Sequence, residues 1–315
     1  MRNSQMVDQL FIIYRMLALV LAAILFASDH TALAQSLVFD AKNSNRPIEV
    51  TAESGIEWQQ EKRRFIARGK AVALQGDVSV AGDTLMADYR TLTDGANELY
   101  RVFATGNVTM KSATETATGN AAVYDFDKAV LVLEGDNVKL ETGDGFVMAR
   151  RALQYWSNER VAVAEGSAMA EDAENRRLHA DKLIAFFRQP EPGEVVTTAG
   201  RDRADIVFMQ AFGNVRMETT KETVRGNRGN YNIESGIATL EGSVKISQDN
   251  NQLGGGFAVM NVRGGTSRLF GSAEEAGMES PRENERVRAL IAPSAAPATV
   301  ESVPAVVDSA PVVQE

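Results

Sequence analysis

Apolar and polar residues alternate in short runs along most of this chain, and the runs are centred on glycines. Val102 and Ala104 precede Gly106, and Val108 and Met110 follow it; Ala238 and Leu240 precede Gly242, and Val244 and Ile246 follow it. A period of two marks a strand with one buried face. Gly76-Asp77, Gly82-Asp83, Gly135-Asp136 and Gly143-Asp144-Gly145 punctuate the runs as turn or bend signals. No segment between 45 and 265 carries a long apolar stripe at helical spacing, so the predicted elements there are strands.

The runs repeat. Gly69, Gly106, Gly135, Gly166, Gly213 and Gly242 occupy similar settings, each with Ala or Leu two residues before it. Val or Ala follows two residues after each, except in the third unit, where Val138 comes one position later. A second marker alternates with the first: Trp58, Tyr89, Tyr124, Tyr155, Phe186 and Tyr231. The step from glycine to the next aromatic is 18 or 20 residues, and from aromatic to the next glycine it is 11 in four units. The two longer steps, Tyr89 to Gly106 and Phe186 to Gly213, hold polar insertions, the larger being 188–203. The period is therefore 31 residues or close to it, with one side of each unit tolerating added loop. Such a repeat implies a stacked, all-β architecture whose units bury their apolar faces on one another. Gly inside a strand marks a bend, a bulge or close backbone approach, so the six predict a column of bends. The aromatics read first as packing or rim residues.

The ends differ from this body. Arg2 and Arg15 precede the apolar run 16–26, and Ala32-Leu33-Ala34 follows it. That is the layout of an export signal cleaved after Ala34, with Gln35 as the mature start. A retained anchor over 10–27 is the other reading, although eleven apolar residues are few for a bilayer core of about 30 Å. From Pro281 onward there is no glycine, and four of the eight prolines fall within 291–315 among Ala, Val and Ser. A tail over 276–315 without a core of its own is expected. The domain reading is thus 1–34 signal, 35–275 β-repeat body, 276–315 tail.

Composition narrows the function. A formal charge of −9 in 315 residues argues against a binder of nucleic-acid backbones. The absence of cysteine removes disulfides, thiolate metal sites and cysteine nucleophiles, and the two histidines, His30 and His179, leave little for histidine-dependent catalysis. No acidic cluster breaks the repeat register as a catalytic carboxylate pair would, and Asp83, Asp125 and Asp181 read as turn residues. No catalytic, metal or cofactor site is expected.

At one stretch the sequence resembles a known family. Ala52-Glu53 leads to Trp58 and into FIARGKAVALQGDVSVAGDTLMADYR over 65–90, and Gly-Asn-Val recurs at 106–108 and 213–215. This is similar to the LptA/OstA family of periplasmic lipopolysaccharide-transport proteins, with the likeness extending over 45–265. The resemblance implies an open, V-shaped β-jellyroll of antiparallel strands with an elongated apolar groove for the acyl chains of lipid A. It also implies a bridge between an LptC-like inner-membrane protein and an LptD-like outer-membrane protein, built by strand addition at open edges, and a possible head-to-tail homo-oligomer. The periplasm follows from the same likeness and from the export signal. The polar insertion and the long tail depart from the usual pattern.

The residues expected to line the groove are Val108, Met110, Leu131, Leu133, Val138, Leu140, Val161, Val163, Val215, Met217, Leu240, Val244 and Ile246. An ordinary closed core would have an identical pattern, and only the resemblance points to a groove. Lys62-Arg63-Arg64, Arg150-Arg151 and Arg176-Arg177 are candidate basic rim groups for lipid phosphates, or simply solvated faces. Edge strands are expected near 48–52 and 244–262. Three other readings stay open at this point: an LptC-like anchored partner of the same pathway, a parallel β-helix enzyme acting on carbohydrate with carboxylates, and a purely structural solenoid.

Overall fold

The computed structural model describes residues 47–173, 175–189, 206–219, 222–248, 250–261, 266–278 and 286–290. The export signal, most of the 188–203 insertion and most of the tail lie outside the described residues. Among the described residues eighteen strands form one antiparallel sheet. At the N-terminal edge, β1 (Glu49–Thr51) and β2 (Ile56–Gln59) lie end to end against β3 (Arg64–Gln75). The chain then winds through β4 (Val78–Thr91), β5 (Asn97–Lys111) and β6 (Thr116–Asp125), each paired with the strand before it.

In the middle the long strands are divided. β7 (Val130–Glu134) and β8 (Val138–Thr142) both pair with β6, and β9 (Gly145–Ala149) and β10 (Ala152–Trp156) return alongside them. The division falls in the third repeat, where the extra residue after Gly135 interrupts the ladder. Long strands resume with β11 (Val161–Asp172), β12 (Arg177–Phe187), β13 (Ile206–Glu218), β14 (Glu222–Asn232), β15 (Ile237–Gln248) and β16 (Asn251–Asn261). β17 (Thr266–Phe270) and β18 (Arg288–Leu290) share the far edge, both on β16. The C-terminal edge is therefore β17 and β18. The segment near 244–262, expected at the edge, is interior to the sheet because these two strands cover it. Arg288–Leu290 also lies within the segment read as tail.

Strands β3, β5, β11, β13 and β15 each bend at a repeat glycine. These five glycines, Gly69, Gly106, Gly166, Gly213 and Gly242, have positive φ, and so does the residue after each. Two successive left-handed residues form a bulge, and the register with both neighbouring strands shifts there. On the intervening strands Asp83, Asn120, Asp181 and Asn227 are skipped by the ladder at the same level. Asn107 Nδ2 donates to Asp83 Oδ2 at 3.0 Å, and Asn214 Nδ2 donates to Asp181 Oδ2 at 2.9 Å. A Cβ on Gly106 or Gly213 would lie 2.1 Å from that same aspartate oxygen. Glycine is thus required there for both its φ and the close approach.

The line of bends divides each strand into two halves and the sheet into two arms. The first arm holds the half towards the turns after β2, β4, β6 and β10. The second holds the half towards the turns after β3, β5 and β8. One continuous core spans both arms and includes Leu85, Leu133, Leu183 and Leu240 from the first and Met110, Val138, Met217 and Ile246 from the second. Small residues crowd the line of bends, among them Ala67, Ala71, Ala104, Ala164 and Ala168, so the two inner faces approach closely there. The all-β expectation holds, in a jellyroll-like arrangement.

Candidate functional site: the apolar inner faces

Directly paired residues of antiparallel strands point to one face, so the ladder assigns each side chain to the inside or the outside. Leu133 pairs with Leu153, Leu153 with Ala164, and Ala164 with Leu183; all four belong to or pack on the core. Val138 pairs with Ala149 and Val244 with Gly255, beside the line of bends. Val108, Val138 and Val244 are the largest side chains that are completely enclosed.

Of the residues expected to line a groove, nine are in the core: Val108, Met110, Leu133, Val138, Val215, Met217, Leu240, Val244 and Ile246. Leu131 and Leu140 pack against it while only half-buried. Val161 and Val163 do not join them. They pair with Trp156 and Gln154, and their neighbours Ala162 and Ala164 take the inward places. In VAVA the valines drew the assignment, but a shift of one residue reverses the face, and the alanine two before Gly166 holds the register.

Burial is graded along the inner faces. Beside the bends the side chains are enclosed. Farther out, in the middle of the molecule, apolar inner residues such as Leu131, Tyr155, Leu140, Val147 and Leu178 are only half-buried. On the second arm the corresponding places towards the ends, such as Met110, Met217 and Ile246, are enclosed, whereas on the first arm Phe65, Val102, Met209 and Tyr231 stay half-buried. The inner face of the second arm is therefore most accessible over β8 to β12, and that of the first arm is half-open along its length.

The two free ends of the inner faces differ chemically. The first arm ends in aromatics. Trp58 stacks on Phe65 with centroids 5.5 Å apart, Phe65 meets Tyr89 at 5.2 Å, and Trp58 Nε1 donates to the Tyr89 hydroxyl at 2.9 Å. Tyr124 meets Phe126 at 4.6 Å and Tyr155 meets Phe187 at 5.9 Å, both edge-on. These are the aromatic markers of the repeat, at the rim as expected. Phe186 is the exception: it faces outward, paired with Val161, and Phe187 takes the inward place.

The second arm ends in polar groups. Gln75, Arg176 and Glu222 are all buried there, and Arg176 Nε donates to Asp172 Oδ2 at 2.7 Å. Glu222 follows Val224 along the inner face, opposite Gln248. Burial alone pushes its carboxyl up to about 7.

The expected basic rim is largely neutralised. Arg64 pairs with Asp88, Arg151 with Glu165, Arg176 with Asp172 and Arg177 with Glu171. Lys62, Arg63 and Arg150 are exposed. Asp83 and Asp181 sit at the bends. Asp125 lies in β6, where Arg101 Nη2 donates to it at 2.6 Å. Burial raises the Asp125 carboxyl, but Arg101 and the Lys128 N–H together hold it below its usual range. His179 is on the outer face of the second arm, where burial and then Arg216 lower its basicity. Among the described residues no group of His, Asp and Glu could hold a metal ion, and no helix is long and apolar enough to cross a membrane. The site's chemistry is therefore apolar enclosure with one aromatic and one polar margin.

Residues 49–160 match the family model described as LptA/(LptD N-terminal domain) LPS transport protein. The structural repeat continues beyond that segment to β17. No curated protein matches the chain. Among solved structures, the chain matches that of LptH, the LptA homologous periplasmic component of the conserved lipopolysaccharide transport device from Pseudomonas aeruginosa, at 14% identity and a TM-score of 0.20, covering 79% of this chain and 96% of that one.

Proposed function

Residues 49–160 of this chain are LptA/LptD N-terminal-like, and from that premise we propose that the protein acts in lipopolysaccharide transport in the periplasm, holding the acyl chains of lipid A between the inner faces of its two arms. The observation that carries this reading is the incomplete burial of apolar residues on the inner faces. Leu131, Leu140, Val147 and Leu178 are apolar, inward and only half-buried in the middle of the molecule. Apolar side chains left in that condition are completed by an apolar ligand, at about 0.8 kcal/mol per buried CH₂. The contacts are non-directional, so a chain can slide along them without a chemical step. The aromatic margin suits the boundary between acyl chain and headgroup, where an amphipathic ring meets both.

The two ends of the sheet support partner docking by strand addition. Ile56 and Trp58 in β2 and Leu290 in β18 are more than half exposed, on strands whose outer edges are unpaired in the ladder. An LptC-like protein at one end and an LptD-like protein at the other, or a second copy head to tail, are the proposed partners.

In-cell photocrosslinking tests the groove. A photoreactive residue at Leu131 or Leu140 is expected to capture lipopolysaccharide, while the same residue at Glu134 or Lys139, on the outer faces of the same strands, does not. Equal capture at both sets, or none at Leu131 and Leu140 in folded protein, would overturn the groove.

A further inference from the structure

The outer face of the first arm is not explained by an inner groove. Leu133, Ala164 and Leu183 face the core, so Val132, Val163 and Ile184 beside them in sequence face outward. The ladder joins these outward residues into a row: Phe103 opposite Val123, Val123 opposite Val132, then across Gln154 to Val163 and Ile184. A parallel row adds Trp156, Phe186 and Phe208, with the two phenylalanine rings 5.7 Å apart. The first arm is thus apolar on both faces from β5 to β13. Strands of that kind are normally covered on both sides. On this face Phe103, Val123, Val132, Val163, Ile184 and Phe208 are only half-buried.

The patch is bounded. Towards the C-terminal edge the first row turns polar at Gln210 and Asn230. Towards the N-terminal edge the second row becomes the ion pairs Arg64–Asp88 and Arg101–Asp125, while the first row stays apolar through Met86 to Ile66 and ends at Glu57. On the second arm the outer row is apolar only at Met148 and Met169 and otherwise carries Lys139, His179, Arg216, Arg225 and Lys245. An apolar centre with a polar rim is the anatomy of a protein interface.

We propose that a second copy of this chain docks here, outer face to outer face. Two features favour a second copy. At the N-terminal rim the charges are paired within each chain, Arg64 with Asp88 and Arg101 with Asp125, so two copies meet there without unpaired like charge. The size also fits. Seven strands about 4.8 Å apart and two side-chain rows give roughly 400 Å² of apolar face. Two copies with their rims bury about 1,000 Å², the low end for a specific pair. Such an interface is isologous and closes at two copies, leaving the inner faces and both sheet edges uncovered. It is distinct from head-to-tail joining, which uses the edges and does not close.

The chain's lack of cysteine makes the test direct. Single cysteines are placed in turn at Val123, Val132, Val163 and Ile184, with Thr109 on the outer face of the second arm as control, in protein purified from cells expressing the full chain. Oxidation is expected to link two copies through at least one of the first four and not through Thr109. Sedimentation velocity from 1 to 200 µM is expected to show monomer and dimer only, and Val163→Glu to weaken the dimer by 100-fold or more while its thermal unfolding stays cooperative. Monomer throughout with no crosslink would overturn the proposal. So would an open series of oligomers that survives Val163→Glu and is lost with proline in β2, or crosslinking that requires added anionic lipid vesicles.

Discussion

The two arms are made from the same strands, a few residues apart, yet they are finished differently. The first arm is apolar on both faces and carries aromatics at its free end. The second is apolar inside, mostly polar or charged outside with Phe146, Met148 and Met169 as exceptions, and closes on Gln75, Arg176 and Glu222. Between them lies only a bulge, at which the register shifts and the strand is re-aimed. One hydrogen-bonded ladder therefore supports two surfaces of different chemistry, because the bend separates the surroundings of each half-strand without interrupting the sheet.

Breaking the inside–outside distinction of the first arm has the largest expected effect. Leu133→Lys places a charge in the core and is expected to cost 4 kcal/mol or more, about enough to unfold a marginal domain. Val132→Lys, one residue away on the outer face, is expected to cost under about 1.5 kcal/mol in dilute protein. Urea midpoints of the two variants measure this, and equal losses would contradict the assignment of faces.

Next is the polar margin of the second arm. The Glu222 carboxyl is raised from 4.5 to about 7 by burial. Below pH 4.5 it is protonated in folded and unfolded chain alike, and its contribution is at its most favourable. As pH rises from 4.5 to 7 the unfolded chain ionises first, so stability falls, by about 3 kcal/mol once above pH 7. Glu222→Gln is expected to abolish that loss, leaving thermal stability at pH 8 higher than in the parent and unchanged at pH 4. A variant with the parent's pH dependence would remove Glu222 as the cause.

The bend itself comes third. Gly213→Ala puts a methyl group 2.1 Å from Asp181 Oδ2 at φ +72, at an expected cost of about 2 kcal/mol. Combining it with Asp181→Gly is expected to return part of this, and a double-mutant cycle reads the coupling. The smallest effect sharpens the comparison by its absence: Lys245→Glu, exposed on the outer face of the second arm, is expected to stay within about 0.5 kcal/mol.

Much of the fold was legible in the sequence. The glycine period located the bends, because only glycine tolerates both the left-handed backbone and the close aspartate at Gly106 and Gly213. The two-residue alternation located the inner faces wherever the residue two from the glycine was followed strictly, as at Leu133, Leu240 and Val108. It failed at Val161 and Val163, where hydrophobicity outweighed register. Phe186 misled in the same way, since an adjacent pair of phenylalanines satisfies the aromatic spacing on either face. Asp83 and Asp181 at the bends looked like turn residues, because a residue skipped by the ladder has the local chemistry of a turn. The neutralisation of Arg64 was not legible, since it meets Asp88 only across strands, 24 residues away.

By itself the sequence determined that the protein is a β-repeat, where its strands bend, and which half-residues of each run seek burial. These depend on local backbone preference and on a period that any one strand carries. Only the tertiary structure decided which strands form the edges, how far each inner position is enclosed, and that one arm is apolar on both sides. Those properties depend on what lies across the ladder and on what lies opposite the face, and neither is contained within a single strand.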